Sequence, residues 1–172
     1  MNHLNYMNGT ATGKMPVVYL DCNVVSCLTG WLSPKEDART MQVATRKWWK
    51  RAQGRVLAVI SEVVWAELVQ GDAGCAAERR MTVAGMPMWR ETPATRALGR
   101  ELLRFGAVDK SQPRDAAHIA VAAGEGADVL LSWNFQHVVN EDKMPEIKAV
   151  VERAGFRCPL ITSPDKLPED WP

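Results

Sequence analysis

Along the chain, short runs of uninterrupted apolar residues alternate with longer segments in which apolar positions recur every three to four residues. The apolar runs, 17–20, 56–60 and 129–131, are rich in β-branched residues, the pattern of strands covered on both faces in a parallel sheet. Between them, 36–52, 62–70, 73–82, 94–105 and 114–123 carry helical spacing. A last helix over 145–154 precedes a short strand near Leu160. Gly54, Gly71, Gly106, Gly124 with Gly126, and Gly155 follow the periodic segments, while Pro34, Pro93 and Pro113 stand at helix starts. This order predicts a layered α/β domain with a mainly parallel central sheet flanked by helices.

With 172 residues, 47% of them hydrophobic, the chain suits one domain with a full core. Residues 1–15 are Asn-, Thr- and Gly-rich without the apolar stretch of a secretory signal, and they read as a disordered extension. The domain is placed at 16–165, and the proline-rich residues 166–172 form an extended C-terminal tail, either packed on the domain or trailing from it. No apolar run approaches the roughly 18 residues of a membrane span. The four cysteines are scattered and never paired as C-x-x-C, which suits a reducing cytoplasm and offers no zinc-ligand spacing. Lys and Arg number 21 against 20 for Asp and Glu, so a charged ligand must be met by a local cluster.

In open α/β sheets ligands gather beyond the carboxyl ends of the strands. Asp21 follows the first apolar run, Ser61 and Glu62 the second, and Ser132, Trp133 and Asn134 the third. Glu67 falls inside what should be the buried stripe of its helix, where a carboxylate needs a partner; the alternative is a narrow stripe with Glu67 at its margin. Asp115 has two readings, an acid favoured in the first turn of a helix or a member of a site. Three convergent carboxylates repel one another unless a cation joins them. An oxygen-only set favours Mg²⁺ or Mn²⁺, and such an ion points to phosphodiester hydrolysis by a metal-activated water.

Four segments in order carry a family resemblance: Leu-Asp-Cys-Asn-Val-Val-Ser (20–26), Ser-Glu-Val-Val-Trp-Ala-Glu-Leu (61–68), Asp-Ala-Ala-His-Ile-Ala-Val-Ala-Ala (115–123) and Leu-Leu-Ser-Trp-Asn-Phe-Gln-His (130–137). Together they resemble a PIN domain, and the Trp-rich helix around 46–51 with Gly71-Asp72 looks like the VapC-type toxin branch. The resemblance implies a three-layer PIN-like fold and a Mg²⁺- or Mn²⁺-dependent endoribonuclease. It further implies the toxin of a type II toxin-antitoxin system, a homodimer neutralised by a cognate antitoxin whose tail occupies the acidic pocket. Asp21, Glu67 and Asp115 match the family's acidic positions, and Asn134 matches a fourth that is Asp in many relatives, so it is expected to tune or position. Cys22 departs from the Ser or Thr of many relatives.

Asn23 reads either as a site amide or as the cap of the following helix, and Ser61 has the same two readings. Arg96, Arg100 and Arg104 form a cationic stripe suited to RNA backbone, or alternatively a solvated helix face. Lys and Arg residues over 46–55 surround Trp48 and Trp49, for which core or antitoxin contact is favoured over base stacking. His118 is read as a half-buried packing residue and His137 as a surface residue at a helix start. The rival function is a catalytically silent module whose acidic edge binds a basic peptide such as an antitoxin arm. The phosphate-loop, dinucleotide and nucleophile-elbow motifs are all missing from the sequence. RNA is preferred to DNA by the resemblance alone.

Overall fold

A computed structural model describes residues 14–171, so the extension assigned to 1–15 lies outside the described residues except for its last two. The first strand, β1 (Val17–Leu20), is buried along its whole length because it is the middle strand of five. It is followed by helices α1 (Cys22–Leu28) and α2 (Glu36–Ala52), then β2 (Leu57–Ser61), α3 (Glu62–Leu68), α4 (Ala73–Thr82) and β3 (Met88–Trp89). The second half runs through α5 (Pro93–Arg104), α6 (Pro113–Gly124), β4 (Val129–Leu131), α7 (Met144–Arg153) and β5 (Leu160–Thr162). All strand pairs are parallel, in the order β3-β2-β1-β4-β5. Helices flank the sheet, giving the three-layer α/β architecture with a parallel sheet that the pattern predicted.

Most boundaries agree with the periodicity to within two residues, and the departures have local causes. β2 ends on Ser61 rather than Ile60 because Ser61 still registers with Trp89 of the edge strand. β3 itself is two residues long and leaves no periodic signal. The helix after β1 starts one residue beyond Asp21, which occupies the cap position without a side-chain capping bond. Asn23, for which a capping role was one reading, instead sits inside the first turn, and its amide is free to work elsewhere. Of the two readings of the C-terminal tail, the described residues follow the packed one: a 3₁₀ turn over Pro164–Lys166 packs on α2, Leu167 is buried, and Trp171 lies against the core.

Helices α5 and α6 pack closely because small residues face each other, with Gly99 approaching Ala116 and Ala120. At Gly124 a β-carbon would lie 2.4 Å from the Thr95 methyl, and Thr95 is locked in the capping box that opens α5. Gly124→Ala is therefore expected to cost about 1–3 kcal/mol of overpacking, measurable as a lowered urea midpoint with an unchanged slope.

Candidate functional site

The strand order places a switch point beside β1, since the chain leaves it toward β2 on one side and is joined by β4 on the other. Clefts at such points are where open α/β sheets bind ligands. The Asp21 backbone N–H donates to the Leu131 carbonyl at 3.0 Å, which ties the carboxyl ends of β1 and β4 together. Asp21 is 3% exposed, yet its carboxylate is well served: Oδ2 accepts from Asn23 Nδ2 at 2.8 Å and from Ser132 Oγ at 2.5 Å. Asn23 also donates to Ser132 Oγ, and its Oδ1 accepts from the Trp133 backbone N–H. The amide is thus a clamp between the two strand ends.

Glu67 reaches the same place from α3, at the edge of the helix's buried stripe, with a side chain 18% exposed. Its partner is His118 of α6, whose Nε2 lies 3.1 Å from Glu67 Oε2 and 3.7 Å from Asp21 Oδ1. Ligand atoms of Asp21, Glu67 and His118 all fall within 4.8 Å of one another, the one such group of potential metal donors among the described residues. His118 is not a half-buried packing residue: it is 1% exposed and hydrogen-bonded on both ring nitrogens. Its Nδ1 meets Tyr19 Oη at 2.9 Å, and Tyr19 Oη meets Ser61 Oγ at 2.6 Å.

Asp115 stands outside this tightest group. Its Oδ1 accepts from Asn134 Nδ2 at 3.1 Å, whereas its Oδ2 is buried with no hydrogen-bond partner. Asn134 is held in turn by Ser132 Oγ on its backbone N–H and by the His137 N–H on its Oδ1. Asp21, Ser132, Asn134 and Asp115 therefore form one connected run of hydrogen bonds, so Asp115 belongs to the site at one remove. Ser61 is fully buried, capping α3 through the Val64 N–H and paired with Tyr19, which removes it from any substrate contact.

Protonation follows the geometry. Burial opposes a charge on the His118 ring, but Asp21, Glu67 and Asp115 more than offset it, and the ring is raised above its ordinary value. Burial pushes Glu67 up, yet hydrogen bonds from His118 and the Cys22 thiol outweigh it and its carboxyl falls below the usual range. Asp115 is raised, chiefly by burial, against the lowering influence of His118 and His137. The Cys22 thiol is held firmly protonated, by burial first and by Asp21 and Glu67 beside it. His118 thus sits between two carboxylates that favour its protonated form, in which it would carry part of the positive charge the cluster demands.

No family model, curated protein or solved structure matches this chain.

Other expected residues lie apart from the cluster. Arg96, Arg100 and Arg104 are exposed along one side of α5, opposite the buried Leu98 and Leu102. The Arg96 guanidinium donates to the Glu91 carbonyl, and Arg104 pairs with Glu101 and lies over the Phe105 ring. None of these contacts reaches the acidic site. Trp48 is fully buried in the core with Trp49 packed beside it. All four cysteines are free. No described helix is long and apolar enough to cross a membrane.

The residue that sequence reasoning undervalued is His118, and a signal for it existed. It is the one polar side chain in the run Ala116–Ala123, three residues after Asp115 and on the same helix face. A polar side chain in a buried stripe needs a partner, and His118 meets that condition as fully as Glu67 does.

Proposed function

We propose that the chain is a divalent-metal-dependent endoribonuclease using Mg²⁺ or Mn²⁺. In keeping with its resemblance to VapC-type PIN toxins, we assign it to the cytoplasm as a homodimer restrained by a cognate antitoxin protein. The observation that carries this reading is the convergence of Asp21, Glu67 and His118 at the switch point, backed by a buried Asp115 oxygen that has no partner. The donor set suits a divalent cation, because two carboxylates and a third acid within reach of their field cost least when a cation joins them. Asp21 and Glu67 would hold the ion, with Asp115 reaching it through water.

When bound, such an ion neutralises phosphate charge and acidifies a water. The chain's own residues supply the rest. Asn23 and Ser132 fix Asp21 through Oδ2 and leave Oδ1 turned to the centre of the cluster. Asn134 holds Oδ1 of Asp115, so Oδ2 is the oxygen available to accept a proton from an attacking water. A base must be ionised to act, so the rate is expected to rise with pH as Asp115, held above its ordinary value chiefly by burial, loses its proton. Asn134→Ala removes a bond that favours the ionised form, and the acidic limb of the kcat/KM profile should move to higher pH.

The direct experiment incubates the purified chain with single-stranded RNA in Mg²⁺, in Mn²⁺ and with chelator. Cleavage is expected with either metal, none with chelator, and none from Glu67→Gln. If the wild-type chain cuts no RNA under any of these conditions, the reading falls and the acidic edge becomes a binding surface for a basic peptide.

A further inference from the structure

Resting on the metal-dependent reading above, the geometry points to a centre in which His118 is itself a ligand beside Asp21 and Glu67. The site then prefers a first-row transition ion over Mg²⁺. Residue pattern alone suggested an all-oxygen set completed by Asp115, whereas the three donors that lie together are two carboxylates and an imidazole. His118 Nε2 is the atom that faces both acids, at 3.1 Å from Glu67 and 3.7 Å from Asp21.

The far side of the ring is built for ligation. Metal-bound histidines donate their other N–H to an oxygen that fixes ring and tautomer. Here Nδ1 lies 2.9 Å from Tyr19 Oη, and Tyr19 can pass its own proton to Ser61 Oγ at 2.6 Å. With Nδ1–H donating to Tyr19 and Tyr19 O–H donating to Ser61, the ring and its tautomer are fixed while the Nε2 lone pair is left for an ion. The Nε2 proton leaves to solvent as the ion enters. Tyr19 and Ser61 come from adjacent strands and are fully buried, so the ring is held before any ion arrives.

Selectivity follows from the donor atoms. Carboxylate and water oxygens suit Mg²⁺, while an imidazole nitrogen favours ions along the first transition row. One nitrogen among oxygens should therefore separate Mg²⁺ from Mn²⁺ and Co²⁺ in affinity.

The test uses the full chain with Mg²⁺, Mn²⁺ and Co²⁺ as probes. Calorimetry and thermal shift give affinities, and pulsed electron paramagnetic resonance of bound Mn²⁺ detects coupling to imidazole ¹⁴N. Expected results are binding of Co²⁺ at least tenfold tighter than Mg²⁺, with Mn²⁺ between them, and a nitrogen coupling in wild type. His137→Gln should retain that coupling and His118→Gln should lose it and narrow the affinity gap. The wild-type and His137→Gln spectra together decide the matter even if His118→Gln fails to fold. Bound Mn²⁺ without nitrogen coupling, or Mg²⁺ bound as tightly as Co²⁺, overturns ligation by His118 and leaves the nuclease reading standing. No binding of any of the three ions overturns both.

Discussion

Asp21→Asn is expected to reduce RNA cleavage by at least about 10²–10³-fold, the range seen when one preorganised electrostatic group is removed from a reacting centre. The substitution keeps the shape of the side chain, and the remaining oxygen can still accept from Asn23 and Ser132 in place of Oδ2. The amide nitrogen must then face His118 Nε2, donor against donor, where the carboxylate oxygen stood at 3.7 Å. Asp21 is the foremost group opposing the effect of burial on His118, so the ring should lose its raised proton affinity together with the activity. Circular dichroism establishes that the variant is folded, and a histidine NMR titration follows the ring. Undiminished cleavage by a folded Asp21→Asn chain would remove Asp21 from the mechanism.

The second large effect is on stability. In chelator, the contribution of His118 to the stability of the metal-free protein is expected to be greatest below pH 6.5, the ordinary imidazole value, and above the acidic range in which Glu67 takes up its proton. His118 is raised in the folded state, so its contribution is complete below the unfolded value and is lost as pH climbs through the folded one. The melting temperature should fall across that window in wild type, and the component due to His118 should vanish in His118→Leu. At pH 6 the same substitution leaves Asp21 and Glu67 facing each other without their shared cation, at an expected cost of roughly 3–5 kcal/mol. A wild-type melting curve that does not change between pH 6 and pH 9 would contradict the ion pairing described for the ring.

How much of this could be read from the chain depended on whether the signal was local. The buried strands declared themselves through unbroken β-branched runs, because a strand covered on both faces has no polar side to interrupt it. Glu67 was legible as a polar interruption of an apolar stripe. Asp115 was ambiguous because a helix N-terminus attracts acids for reasons unconnected with a site. Ser61 carried two meanings that only burial could separate. His118 was undervalued because its significance is relational: its partners Tyr19, Asp21 and Glu67 lie 51 to 99 residues away. Spacing along one helix cannot show which residues of other helices its polar face will meet. For the same reason the clamp made by Asn23 between β1 and β4 was beyond the reach of local pattern.

The middle position of β1 bears on how the molecule is made. Its partner β4 begins more than a hundred residues later, and Ser132, which grips Asp21, is 111 residues away in sequence. A chain emerging from the ribosome therefore carries one flank of its central strand bare until Val129–Leu131 have been synthesised. Distant parallel pairing of this kind is slow to form and leaves sticky intermediates. Nascent chains of this protein should engage chaperones until β4 docks, and truncations that end before residue 129 should accumulate as aggregates.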